Sequence, residues 1–280
     1  MSDMMTASTA GRSERRAPGI MERLAKYEKT LYGVGTVGIL LVAWQVAVAN
    51  IDPSLAPLFS SPTRVLASAI ELFQSGELVH HLQVSAVEYA LGYGVSILIG
   101  VPLGIALGWY KRFNYALDPL TTALYVAPGV AFMPLIMIWF GIGLASKVVL
   151  IVLLALFPIM INCRDAVKTT PKNLLEAARS FQASQGRIFR TIVFPSAVPF
   201  ILTGLRLGAG RALIGVFVAE MYISQAGIGY MITQAGTSLK TDVVFVGVII
   251  FCIAGLLVFE LIAQLERRFE KWRPQVGSGE

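Results

Sequence analysis

An all-α, polytopic membrane protein of six transmembrane helices is the fold class this sequence predicts, and three observations predict it. Only 14% of its 280 residues are charged, against about 25% in soluble domains. Runs of spanning length, uncharged apart from Asp52 at the end of the first, occupy 30–52, 89–110, 119–146 and 243–259. A hydrocarbon core about 30 Å thick needs roughly 20 helical residues. Lys and Arg fall in bursts between the apolar runs; that is a topology signal and not a nucleic-acid footprint.

The chain opens on MSDMMTASTAGRSERRAP, which is small, polar and basic. No apolar stretch with a small-residue cleavage site follows closely, so residues 1–25 are expected to be a disordered cytoplasmic tail and not a secretory leader. Residues 26–60 hold the first span, at about 30–49, and its outer connection. Arg23, Lys26 and Lys29 precede that span and are expected to keep its start inside. Turn chemistry follows at Asp52-Pro53 and Ser60-Ser61-Pro62. Ser61 suits an N-cap and Pro62 the first helical position. Val65, Leu66, Ala69, Ile70 and Phe73 then recur on one face, and Gly76 can close the helix. That helix is too short to span and is expected on the outer membrane interface.

Residues 61–270 carry the remaining spans. The second runs from about 84 to 109 and turns at Lys111-Arg112; His80-His81 before it is a pair that points two ways on a helix. Gly100, Gly104 and Gly108 recur at four-residue spacing, a smooth groove that lets a neighbouring backbone approach. Gly204 and Gly208 repeat that spacing in the fifth span. The third span, about 117–140, contains Pro128 and Pro134, which remove backbone hydrogen bonds; the turn Gly141-Ile142-Gly143 ends it. A fourth, short span at about 146–163 is expected to snorkel Lys147 at its outer end. The fifth covers about 196–219, a Gly-rich outer segment 224–241, and the sixth about 242–264. The tail 271–280 returns to water. On this layout eighteen of the 23 Lys and Arg face the cytoplasm, which places both termini inside.

Between the fourth and fifth spans lies PKNLLEAARSFQASQGRIFRTIVFPSAVPF, residues 171–200, an amphipathic and basic interruption. Leu174, Ala177, Ala178 and Phe181 stand at i, i+3, i+4 and i+7, an apolar stripe on a short helix. Glu176-Ala177-Ala178, with Ile192-Val193-Phe194-Pro195 after a spacer, resembles the EAA loop of bacterial ABC-importer permeases. That pattern is Glu-Ala-Ala, three residues, Gly, nine residues, Ile, any residue, Leu-Pro. The spacing is intact, with Gln182 where the family has Gly and Phe194 where it has Leu. LIMIWFGIGLASKVVLI (135–151), FPSAVPFILTGLRLGAGRALIGVFVAEM (194–221) and GIGYMI (227–232) look like the nitrate, sulfonate and taurine branch, over roughly 60–270.

The resemblance implies a type I importer permease fold over 61–270, with a coupling segment at 171–195 seated on a cytoplasmic ATPase. Leu174, Glu176, Ala177, Ala178, Phe181 and Gln182 would form the contact, in the helix-in-groove manner. It also implies a second copy of the chain, an external solute-binding protein, and ATP and Mg held by the partner ATPase. The solute would be a sulfonate, taurine, nitrate or another small organic acid or vitamin precursor. A non-Gly residue in a left-handed turn costs about 1–2 kcal/mol, so Gln182 is expected to continue the helix and displace the bend towards Gly186.

Arg206 and Arg211 are ionisable groups inside the fifth span, which face a bundle interior or a pathway. Five residues set them roughly 140° apart, so both cannot face one pore. Each is either a positive element on the path of an anion or the partner of a carboxylate on a neighbouring span. Glu220 lines the outer vestibule, meets the external protein or forms a packing pair. Met133 and Met137 in the Pro-broken span are core, lipid-facing or path residues. Cys163 and Cys252 read as packed small side chains.

No G-x-x-x-x-G-K-[ST] phosphate loop is present, so ATP hydrolysis is not expected of this chain. Neither a metal-ligand cluster nor a nucleophile–base arrangement stands out, so no metal or catalytic residue is expected. An ion-coupled secondary transporter is the alternative function; those are built on internal repeats, and none is seen. A structural membrane anchor is a third, without need of Pro-broken spans or intramembrane arginines.

Overall fold

The computed structural model describes residues 20–52, Leu55 and 58–269; the tail expected at 271–280, and the one at 1–25 as far as residue 19, lie outside them. Among the described residues every regular element is helical. Helix α1, Ile20–Ala49, belongs to a compact unit ending at Pro53, while Ser54 onward forms a second. Of α1 itself, Leu31–Ala49 is long and apolar enough to cross a membrane, and Arg23, Lys26 and Lys29 stand on its early turns.

Helix α2, Pro62–Gln74, starts at the N-cap Ser61 with proline in its first turn. Its end is a glycine turn: Gly76 adopts φ 79°, and its N–H reaches the Phe73 carbonyl at 3.1 Å. Val65 and Ser68 form its buried line, while Leu66, Ile70 and Phe73 of the expected stripe are exposed. The apolar stripe therefore faces away from this chain, as a surface meant for lipid does.

Gly76 lets α3 begin at once, so it runs from Glu77 to Trp109, longer than the 84–109 read from hydropathy. Glu77 in the first turn suits the positive end of the helix dipole. Helix α4, Lys111–Val126, stops before Pro128, because the residue ahead of a proline is pushed out of the α region; Ala127 has ψ 137°. A short 3₁₀ turn at Gly129–Phe132 and α5, Met133–Phe140, follow at 92° to α4. The expected third span is thus broken, and neither half alone reaches spanning length. Gly141, at φ 74°, turns the chain into α6, Leu144–Lys168. This helix is not short: Arg164 pairs with Asp118 of α4 and Lys168 bonds Asn114 at 3.0 Å, so its polar end stays helical beyond the apolar run.

After α6 come α7, Lys172–Ser180, α8, Gln185–Ile188, and a π turn at Phe189–Val193 that runs into α9, Phe194–Ile223. The outer segment folds as α10, Ile228–Thr237, and α11, Thr241–Phe269, ends the described chain. Among the described residues five helices are long and apolar enough to span, and a sixth crossing is formed if α4 and the 129–140 pair act as one bent span.

The core of the second unit is the pair of interfaces α3–α6 and α6–α9. A Cβ on Gly100 would sit 3.2 Å from the Leu156 carbonyl; one on Gly104 would run into the Met160 carbonyl, and one on Gly108 would sit 2.7 Å from the Arg164 carbonyl. Gly204 and Gly208 of α9 receive Asn162 and Ile159 of α6, and Ile159 reaches Gly100 of α3 as well. Helix α6 is clasped between two glycine faces, and close backbone packing of this kind is what associates helices in lipid. Cys163 is fully buried there, whereas Cys252 is exposed.

Candidate functional site

Helix α7 projects from the end of the bundle where α3 and α6 finish and α9 begins. Leu175 and Ala178 pack it onto its own chain. Leu174, Ala177 and Phe181 are exposed, Phe181 at 87%, so three of the four residues of the expected stripe are apolar surface, while Ala178 is turned to the bundle. At 100° per residue, Lys172, Glu176 and Arg179 fall on the opposite side of the helix from those three. Glu176 therefore does not share their face; it lines a cleft between α7 and the ends of α3 and α6.

The helix ends at Ser180, and Gln182 adopts φ 55°. The expected continuation past Gln182 is overturned. The bend stays where the family pattern carries glycine, and Gly186 lies within α8. Two bonds close the turn: Ala183 N–H to the Ala178 carbonyl at 3.0 Å and Gln182 N–H to the Arg179 carbonyl at 2.9 Å. This is a Schellman motif with Ala178 and Ala183 as its apolar contact, strong enough to hold an L-residue in the left-handed region. Gln182→Gly is expected to stabilise this turn by about 1 kcal/mol, read as slower amide exchange across 178–188; equal or faster exchange would contradict it.

The break between α4 and α5 opens a cleft of about 290 Å³ lined by Tyr125, Pro128, Gly129, Leu154, Phe157 and Arg211. Arg211 is exposed and has no hydrogen-bond or ion-pair partner among the described residues. Unwound backbone next to an intramembrane cation is the combination found where spans line an ion or solute path. Arg206, on the other side of α9, is 3.2 Å from Glu266 of α11 and lies over the Phe259 ring. The two arginines do face different ways, and only Arg211 faces a cleft. Met133 is buried with Ile136, Leu150, Ala219 and Ile223, and Met137 packs against that cluster; neither lines the cleft.

At the opposite end of α3, α6 and α9 a polar network is buried. Lys147 is 7% exposed and ion-paired with Glu88, which is 1% exposed; it also donates to Ser224 Oγ at 2.9 Å. It does not snorkel. Glu220 is fully buried and lines no vestibule. Its Oε1 accepts from Ser85 at 2.6 Å and its Oε2 from the Gly229 N–H at 2.7 Å. Ser85 Oγ accepts from the Ile228 N–H at 2.9 Å, and His81 Nδ1 from the Gly227 N–H at 3.0 Å.

Three successive N–H groups at the start of α10, which have no partner inside the helix, are thus met by side chains of α3 and α9. The glycines of the GIGYMI stretch follow from this. A Cβ at Gly227 would overlap the Glu220 carboxylate, and one at Gly229 would lie 2.9 Å from Glu220 Cβ. Glu88, Ser85 and His81 were missed in the sequence. The available signal was Glu88, a carboxylate inside the expected second span, with Lys147 as the matching cation at the start of the fourth.

A profile of the family described as binding-protein-dependent transport system inner membrane component matches residues 100–271. The chain is 34% identical over 277 residues to the putative aliphatic sulfonates transport permease protein SsuC of Bacillus subtilis, covering 96% of this chain and 98% of that one. It is 34% identical to the taurine transport system permease protein TauC of Escherichia coli, over 87% and 90% of the two chains. With the formylaminopyrimidine transport permease protein ThiX of Halalkalibacterium halodurans it shares 32% identity, over 84% and 93%. Among solved structures, a chain of the MetNI methionine ABC transporter matches with TM-score 0.59 at 18% identity, over 66% of this chain and 92% of that one. A chain of an amino acid ABC transporter matches with TM-score 0.56 at 16% identity, over 72% and 96%. Those two likenesses show a shared fold.

Proposed function

The chain belongs to the family of binding-protein-dependent transport system inner membrane components, and from that premise we propose that it is the permease subunit of an ATP-driven importer of a small organic anion. It is a multi-pass protein of the inner membrane. The observation that carries the reading is α7, a short helix ending in a fixed turn and showing Leu174, Ala177 and Phe181 to solvent at the end of the bundle. Such a stripe seats a helix in an apolar groove. The groove would belong to a cytoplasmic ATPase that binds ATP and Mg, and a second copy of this chain would complete the path. An external solute-binding protein would deliver the solute, with both termini of this chain on the cytoplasmic side.

The anion is supported by Arg211 in the cleft of the broken span and by relatives named for sulfonates and taurine. ATP-driven closure of the ATPases would move α7, and with it α6 and α9, to which it is joined. Co-purification with a phosphate-loop ATPase from the same cells, and hydrolysis stimulated by loaded solute-binding protein, tests the reading. Uptake into vesicles driven by an ion gradient without ATP would overturn it. Within a working complex, Ala177→Asp is expected to lower stimulated hydrolysis by at least about tenfold at normal permease level, because it places an unpaired carboxylate in an apolar groove. Unchanged stimulation would remove α7 from the interface.

A further inference from the structure

The cleft behind α7 is a second surface, distinct from the exposed stripe. Its volume is about 500 Å³. Four cations line it, Lys111, Lys168, Lys172 and Arg179, against one carboxylate, Glu176. Lys168 is held by Asn114, and among the described residues none of the four is in an ion pair. The floor is apolar, with Leu107, Val167, Leu175 and Val193, and Trp109 also lines it. Trp109 and Lys168 are the last residues of the spanning helices α3 and α6, so the mouth sits at the level where hydrocarbon gives way to water.

We infer that this cleft binds the phosphate of an anionic phospholipid, with the headgroup among Lys111, Lys172 and Arg179 and an acyl chain along the apolar floor. An unpaired basic pocket at the ends of spanning helices has the charge for an anionic headgroup. An apolar floor beneath it favours an amphiphile over a free ion, and tryptophan is at home at that depth. The helical geometry keeps this occupant and a partner on the stripe apart: Lys172 and Arg179 fall on one side of α7, Leu174, Ala177 and Phe181 on the other. A lipid there would brace α7 against the bundle while leaving the docking stripe free. The docking role of the stripe and the placing of the cleft in the cytoplasmic leaflet rest on the function proposed above; the lipid site itself does not.

The full-length chain, purified in neutral detergent, is titrated with dioctanoyl phosphatidylglycerol, dioctanoyl phosphatidylcholine or inorganic phosphate, and retained ligand is counted by native mass spectrometry. Saturable binding of one phosphatidylglycerol per chain is expected, with phosphatidylcholine weaker. The triple variant Lys111→Gln, Lys172→Gln, Arg179→Gln should lose at least about tenfold in affinity. The charge-keeping variant Lys111→Arg, Lys172→Arg should retain it. So should Arg187→Gln, Arg190→Gln, which removes two exposed cations outside the cleft. Equal binding of the two lipids, equal loss in the Arg187/Arg190 variant, or unchanged binding in the triple variant would overturn the site. Displacement of phosphatidylglycerol by inorganic phosphate at comparable concentration would show a free-anion site and overturn the lipid. Transport and ATP hydrolysis play no part in this measurement, so failure of the proposed function would leave its outcome readable.

Discussion

Lys147→Met is expected to destabilise the protein by about 3–5 kcal/mol, the largest effect of any single substitution considered, because it strands a carboxylate that has no water to turn to. Glu88 is buried and pairs with Lys147 across the α3–α6 interface. Among the described residues only one of its oxygens is engaged, and Glu88 Oε2 has no hydrogen-bond partner there. A half-satisfied polar network is worth less than its pair distances suggest. The double variant Lys147→Met, Glu88→Leu is therefore expected to recover most of the loss, since replacing both members of a buried pair by apolar groups is often close to neutral. Thermal unfolding of the purified single and double variants decides it. If the double variant is as unstable as Lys147→Met, the ion pair is not the source of the effect, and the Lys147–Ser224 bond becomes the better explanation.

This network marks where the sequence stops being readable. Spanning helices follow from apolar length, and α3, α6, α9 and α11 appear where hydropathy places them. The glycine spacing in α3 and α9 also announces its purpose, because a helix without side chains on one face has little use except close approach. Lys147 was misread because a lysine near the end of a span has two outcomes. Snorkelling needs only length, whereas burial needs a carboxylate brought from another helix, and that partner, Glu88, stands 59 residues earlier.

For a related reason the sequence could not choose between the readings of Glu220, of which the vestibule fails and the packing contact holds. Its partners are two backbone or side-chain donors on α3 and α10, and no pattern within α9 points to them. At Gln182 local propensity argued for helix, yet the two bonds of the turn and the packing of Ala178 and Ala183 outweigh a cost of about 1–2 kcal/mol. For Lys147 and Glu220 the deciding contact comes from another helix, whereas at Gln182 it is made inside the turn itself, by backbone bonds that residue propensity does not report.

Arg211 and Arg206 separate a path residue from a packing residue within one helix. Arg211→Gln is expected to lower solute uptake by at least about tenfold, or about 1.4 kcal/mol, with the protein at its normal level. Arg206→Gln is expected to change uptake by less than about twofold. The difference comes from what surrounds each guanidinium. Arg206 already has Glu266 and the Phe259 ring; it is partly exposed, and such pairs contribute about 1 kcal/mol or less. Arg211 is turned to the cleft beside the Ala127–Gly129 break and meets no carboxylate among the described residues, so its charge is left for something that passes.

Backbone N–H groups freed at the break and a cation together can replace the water around an anion, and each alone does so poorly. Arg211→Lys tests the kind of contact: a guanidinium grips a planar or tetrahedral oxyanion through two parallel bonds, an ammonium through a point charge. Partial recovery in Arg211→Lys, with a raised KM and little change in maximal rate, is the expected pattern for an anion contact. Equal uptake by Arg211→Gln and the parent protein would sink it and move the path away from this cleft. Equal loss in the Arg206 and Arg211 variants would point to helix packing in both.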